Sequence, residues 1–242
     1  MYADDNNEPG DLVAEYRYDG QRRRIAKIVP NGDDWDRTDY YHAGVRVVEE
    51  SFASAQAGKE TPAASPKFQY VWDIRYVHAA VLRDEDTDSD GDCTDEGGSE
   101  RLYYTQDANF NVTALIGTDG AVAERYVYDP YGQRKIYDDD WSDEIAWANS
   151  KKNEILYTGH RLNPESGLYY AGARYYHPTL GLWISWDPIG YADGLHFYRY
   201  ALSSPVTFVD PLGLLAVEFD IVRDDAYTKQ GAYRLGGKRG HA

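Results

Sequence analysis

From residue 157 to residue 214 the chain is crowded with Tyr, Trp and Phe and is broken by Gly or Pro every few residues. Aromatic and β-branched residues in short runs, bounded by Gly, Pro, Asn and Asp, form short antiparallel strands joined by tight turns. The pattern predicts strands at Tyr169-Tyr170, Arg174-Tyr175-Tyr176, Leu182-Trp183-Ile184, His196 to Tyr200 and Val206 to Val209. The predicted breaks include Asn163-Pro164, Gly172, His177-Pro178, Asp193-Gly194 and two Asp-Pro steps, Asp187-Pro188 and Asp210-Pro211.

Upstream the same chemistry takes a repeated form. Residues 15–28 read as strand, Asp19-Gly20 turn and strand, a strong hairpin signal because both turn residues tolerate positive φ. Residues 125–136 repeat the wording, with Tyr126, Tyr128, Asp129, a turn containing Gly132 and a basic strand, and looser copies lie at 68–77 and 102–115. Hairpins of this kind stack by nearest-neighbour contacts. Tyr suits the task because its ring buries while its hydroxyl can stay wet.

These segments resemble the YD repeat, and residues 157–214 resemble the core-associated domain that closes the repeat shell of Rhs and YD-repeat proteins, a family that includes the C component of Tc toxins. The match is carried by Glu165-Ser166-Gly167-Leu168-Tyr169-Tyr170, Ala173-Arg174-Tyr175-Tyr176, Ser185-Trp186-Asp187-Pro188-Ile189-Gly190 and Asp210-Pro211-Leu212-Gly213-Leu214. The expected fold is all-β, stacked antiparallel hairpins ending in a compact core-associated domain, with at most one or two short helices. The expected division is repeat hairpins over 12–137 with an acidic loop at 84–98, a linker at 138–156, the core domain at 157–214 and a short tail at 215–242.

Four imperfect repeats are too few to close a shell, so the chain is expected to be the last turns of a larger wall or a remnant of one. The tail, too short to fold alone, is expected to carry no toxic domain. Residues 138–152 are the best helix candidate, one or two turns linking the last hairpin to the core domain, with Ser142 as N-cap, Asp143 and Glu144 at the positive end of the dipole and Lys151 and Lys152 at the other. Residues 1–11 are polar and expected to fray, and 53–66 read as a loop.

A formal net charge of −16 argues against nucleic acid, whose phosphates need a concentrated basic surface. The single cysteine, Cys93, excludes an intrachain disulfide and a cysteine-based metal site. The N-terminus lacks the basic and apolar regions of a signal peptide, and no stretch is apolar enough for a membrane span.

Asp86, Asp88, Asp90 and Gly91 follow the first half of a calcium loop, and Asp92 is a fourth carboxylate. The bidentate Glu expected at the twelfth place is Gly97, with Glu96 one residue early, so a solvated acidic loop is the competing reading. The six histidines show no ligand spacing, and no metalloprotease, hydrolase-elbow or phosphate-loop signature is present.

The remaining chemistry lies in Asp187 and Asp210. Read alone, each is a turn starter, because Pro fixes φ while Asp accepts bonds from nearby amides. Two carboxylates brought close cannot both ionise, and one could then activate water while the other polarises a carbonyl. The resemblance implies that this pair self-cleaves the chain between Leu214 and Leu215 to release a C-terminal cargo inside the shell; no activity on external substrates is expected. Trp186 stands where many relatives carry Arg, so the cation that tunes the pair is expected to be absent. His177 and Leu182 are further departures, at packing or surface positions.

The resemblance implies toxin delivery or contact-dependent bacterial competition, an extracellular or cell-surface setting, and upstream repeats or its own cargo as partners. Two other readings stay open: a surface module binding carbohydrate or protein, with calcium in its acidic loop, and a vestigial fragment without activity.

Overall fold

The computed structural model describes residues 2–5, 8–53, 61–94, 99–190 and 196–218. Residues 54–60, Glu96, Gly97, Asp193-Gly194 and the tail from residue 219 lie outside that set. The fold is all-β, as expected. After a two-stranded hairpin of β1 (Tyr2–Asp5) and β2 (Glu8–Leu12), ten strands pair antiparallel in strict chain order. They are β3 (Glu15–Tyr18), β4 (Arg24–Asn31), β5 (Asp34–Ala43), β6 (Arg46–Ala53), β7 (Pro66–Trp72), β8 (Ala80–Asp86), β9 (Ser99–Gln106), β10 (Val112–Gly117), β11 (Val122–Tyr128) and β12 (Arg134–Tyr137). For residues 2–5 and 8–11, pairing of β1 with β2 corrects the expectation of fraying, because the backbone of each strand closes the other's hydrogen bonds.

The Asp of the repeat has a specific local task. Asp19, Asp107 and Asp129 each place Oδ1 at 2.8–2.9 Å from the backbone amides two and four residues on. The backbone also closes the loop, as in Asp129 N to Gln133 O at 3.0 Å. The left-handed residue falls three places after the Asp, at Arg22 (φ 65°), Phe110 (φ 58°) and Gly132 (φ 88°). The two-residue Asp19-Gly20 turn predicted from sequence is therefore a longer loop. The carboxylate pulls in later amides, and the positive φ moves to Arg22.

A second, four-stranded sheet follows: β13 (Arg161–Asn163), β14 (Leu168–Tyr170), β15 (Tyr175–His177) and β16 (Leu182–Trp183). It lies against the long sheet through buried aromatic rings. Tyr157, Tyr169, Tyr176, Trp183 and Tyr200 form one cluster, with Tyr176 and Tyr200 centroids 4.1 Å apart. The hydroxyls of Tyr157, Tyr176 and Tyr169 donate to the carbonyls of Pro130, Tyr131 and Gly132 at 2.8, 2.7 and 3.1 Å. Three consecutive carbonyls of the last repeat turn are thus satisfied by the segment that follows it.

The rest of the seam is charged. Arg161 on β13 pairs with Glu50 of β6 at 2.6 Å and with Glu154 at 3.0 Å, and Lys27 of β4 pairs with Glu154 at 2.6 Å. Arg24 of β4 donates to Asn163 of β13 and lies within cation–π range of Tyr16, Tyr40 and Tyr170.

Three local expectations are corrected. Residues 138–152 form no α-helix, only a 3₁₀ turn at Trp147–Asn149. Asp138, not Ser142, does the capping, accepting from Ser142 Oγ and the Asp143 amide, and the segment returns to β12 through Ile145 N to Ile136 O at 2.8 Å. Residues 196–200 are turns with a single bridge from Leu182 to Arg199, since Tyr200 turns inward to the aromatic cluster. Predicted strand 206–209 is shorter, β17 (Phe208–Val209), and pairs with β18 (Val217–Glu218).

Candidate functional site

The β17–β18 hairpin presents Asp210 to Ala216 as a loop, and the β14–β15 connection packs on its inner side. Asp187 begins the turn after β16. It accepts the Ile189 amide on Oδ1 at 2.9 Å, the turn-starting bond expected of an Asp-Pro step. Asp210 accepts the amides of Leu214 and Leu215 on its Oδ1, at 2.8 and 3.1 Å. The second amide is the nitrogen of the Leu214–Leu215 peptide bond.

The Oδ2 atoms of both aspartates meet at one atom. Arg174 Nη2 lies 3.1 Å from Asp187 Oδ2 and 3.0 Å from Asp210 Oδ2. All three side chains are buried. Arg174 is itself over-determined: Nε donates to Gly213 O at 2.7 Å, Nη1 to Phe197 O at 3.3 Å, and the guanidinium lies 4.4 Å from the Trp183 ring centre. A rigid fork of donors of this kind is what arginine offers and lysine does not. The cation beside the pair is therefore present, but it comes from the connection after β14 and not from position 186. Trp186 is 66% exposed and stacks on Phe197 at 5.3 Å. His177 fills a turn, accepting the Leu180 amide, and Leu182 sits half-exposed on β16.

Arg174 carries no expected role from its motif, Ala173-Arg174-Tyr175-Tyr176, alone. A usable signal was present: a cation required beside two buried carboxylates, and an Arg in an aromatic run with no nearby acidic residue in sequence.

Gly213 adopts φ +66°, and a Cβ there would lie 3.0 Å from the Arg174 nitrogen and 3.3 Å from Ala171 O. Gly213→Ala is expected to lower stability by about 1–3 kcal/mol through backbone strain and to displace the loop that Arg174 holds. Thermal unfolding monitored by circular dichroism checks it. A cavity of about 260 Å³ lies beside the loop, with Leu212, Leu214, Trp72, Val47 and His78 in its lining.

In the acidic loop, carboxylate oxygens of Asp86, Asp88 and Asp90 lie within 4.8 Å of one another. Asp92 is turned to Thr94, bonding its amide and hydroxyl. Asp86 is buried and spends both oxygens on the amides of Ser89 and Gly91. Among the described residues no helix is long and apolar enough to cross a membrane.

No family model matches the chain. YibJ of Escherichia coli is 38% identical over 130 residues, covering 51% of this chain and 52% of that protein. The toxin subunit YenC2 of Yersinia entomophaga is 27% identical, covering 88% of this chain and 20% of its own length. The crystal structure of TcdB2-TccC3 superposes with a TM-score of 0.62 at 25% identity, over 83% of this chain and 9% of that one. Over most of its length the chain is similar to Rhs-type toxin proteins, in line with the resemblance to the Rhs/YD-repeat family. The chain spans about half of YibJ and about a fifth of YenC2.

Proposed function

We propose that this chain is the closing segment of an Rhs shell in a toxin-delivery protein, and that it cuts itself between Leu214 and Leu215. The observation that carries the reading is the Leu215 amide held on Asp210 Oδ1 while Asp210 Oδ2 and Asp187 Oδ2 share Arg174 Nη2.

In the proposed step a water, entering by the cavity that Leu214 lines, adds to the Leu214 carbonyl carbon with Asp187 as its base. The proton that Asp187 takes from the water is relayed through Asp210 to the departing nitrogen as the C–N bond to Leu215 breaks. The products are a Leu214 carboxylate and a Leu215 amine, so one water is consumed. Arg174 offsets negative charge between the carboxylates in a site from which bulk water is excluded. It thereby replaces the shared-proton arrangement that two bare carboxylates would need.

After the cut, the strand that the described residues beyond Leu214 contribute is the two-residue β18, paired with β17. A strand pair of that length is marginal, which suits release of whatever follows. The relatives' place in toxins supports an extracellular or secreted setting and assembly with upstream repeats. Freshly made wild type, measured by intact mass under denaturing conditions, is expected as two species divided after Leu214, with Asp187→Asn and Asp210→Asn whole. Three whole chains would leave the aspartates as turn residues.

A further inference from the structure

The loop after Asp210 is held carbonyl by carbonyl. Leu212 O accepts the Ala173 amide at 3.0 Å and Gly213 O accepts Arg174 Nε at 2.7 Å, both from the β14–β15 connection. Pro211 O is held differently. Two imidazoles reach it, His160 Nε2 at 3.1 Å and His78 Nε2 at 2.5 Å. A carbonyl oxygen has two lone pairs, so both rings donate when each carries its proton on Nε2. The Thr158 hydroxyl lies 2.9 Å from His160 Nδ1 and, by donating to it, fixes that tautomer. The two rings sit edge to face with centroids 5.2 Å apart. Burial keeps both rings neutral, with His78 pushed down to about 4 and His160, which also faces His78, to about 3. Arg46 adds to the effect on His78.

His160 precedes β13 and belongs to the segment that carries the loop. His78 does not. It stands in the connection between β7 and β8, in the long sheet of repeats, and reaches 133 residues along the chain. Its turn is built to hold it there. The Arg46 guanidinium donates to the carbonyls of Asp73, Tyr76 and Val77 at 2.8, 3.1 and 3.2 Å, and Tyr76 stacks on Phe110 at 3.9 Å. From the other side Gly159, at φ +71°, packs so closely that a Cβ would overlap the backbone oxygen of His78. His78 gives the repeat sheet a direct hydrogen bond to the Asp210–Leu215 loop.

We propose that His78 is a positioning residue which the repeat sheet contributes to the cleavage loop, and that it makes processing after Leu214 conditional on a folded wall. The processing half rests on the self-cleavage reading above. Asp210 and the Leu215 amide lie on either side of Pro211 in the chain, so the orientation of the clamped carbonyl decides whether Asp210 Oδ1 and that amide meet. With His78 in place, the loop is poised; in a chain whose β7–β8 connection is unfolded, one of the two donors is gone and the contact loosens. Premature release of a cargo from an unfinished wall is thereby suppressed.

The test uses the full chain, with His78→Leu removing the donor at similar bulk and His78→Gln restoring a side-chain N–H. Two readouts are taken: the time course of cleavage by intact mass, and amide hydrogen exchange at Leu214 and Leu215 in chains that also carry Asp187→Asn and stay whole. His78→Leu is expected to slow cleavage ~10- to 100-fold, the cost of misplacing reacting groups, and to speed exchange at both amides about tenfold. His78→Gln is expected to return both to within roughly threefold of the parent. Equal behaviour of Leu and Gln variants, or no change in either readout, overturns the proposal. If the parent chain is never cut yet exchange responds as described, the self-cleavage reading fails and the processing half falls with it, while the positioning role of His78 stands.

Discussion

Replacing Arg174 by Met is expected to abolish processing and to lower stability by about 3–5 kcal/mol, the cost of leaving buried charges without their partner. Arg174 is 2% exposed and serves two aspartates and two backbone carbonyls at once. Met fills similar volume but offers none of those donors, so Asp187 and Asp210 would face each other across an apolar side chain. Arg174→Lys separates the two effects. A single ammonium keeps a positive charge near the carboxylates but cannot reach Gly213 O and Phe197 O in the same geometry. The Lys variant is expected to recover at least half of the lost stability while cleaving ~10²- to 10³-fold more slowly than wild type, the usual cost of removing a preorganised stabilising donor. Urea unfolding and intact-mass time courses on the same preparations check both. A Lys variant that cuts at the wild-type rate would reduce Arg174 to a simple counter-charge.

Arg161→Met is expected to produce the other large loss, again about 3–5 kcal/mol, at the seam between the two sheets. Arg161 lies between Glu50 and Glu154 and over the rings of Tyr40 and Tyr70. Burial alone would raise the Glu154 pKa, but Lys27 and then Arg161 outweigh it and hold the carboxyl at about 2. The sign of the pH dependence follows. A carboxyl depressed in the folded state contributes stability that is complete above its unfolded pKa, near 4.5, and is lost as pH falls through about 2. Removing Arg161 raises the folded pKa, so the variant should lose less of its remaining stability between pH 4.5 and 2 than wild type does, from a lower plateau at pH 7. Denaturant unfolding at pH 7, 4.5 and 3 reads this directly. A uniform loss at every pH would show that Arg161 acts by packing alone.

The hairpins were legible because their cause is local. Tyr at alternate positions and an Asp at the end of a strand specify a strand and the loop that follows, and Asp19, Asp107 and Asp129 do the same thing three times with only their own next four amides. The helix expected at 138–152 had good local ends and little apolar face. With so little to bury, the bridge from Tyr137 to Glu144 and the return of Ile145 to β12 prevailed. The strand expected at 196–200 was lost to a non-local contact, the burial of Tyr200 among Tyr157, Tyr176 and Trp183.

At the site, Asp187 and Asp210 were legible through the Asp-Pro steps. Arg174 and His78 were not, for one reason. Their partners lie 36 and 133 residues away, and only the packing of the β14–β15 connection and the β7–β8 turn on one loop brings them together. The expectation that Trp186 removes the cation assumed that it must come from the adjacent position. The fold supplies it from a different connection.

The most direct test of the central claim is the mass of the fragments from the full chain synthesised cell-free in ¹⁸O-labelled water. The account predicts a fragment that ends at Leu214 with one ¹⁸O in its new carboxylate and a companion that begins at Leu215, both absent when Asp187 or Asp210 is replaced by Asn. A wild-type chain that stays whole, or one cut at the Asp210–Pro211 bond instead, would contradict it.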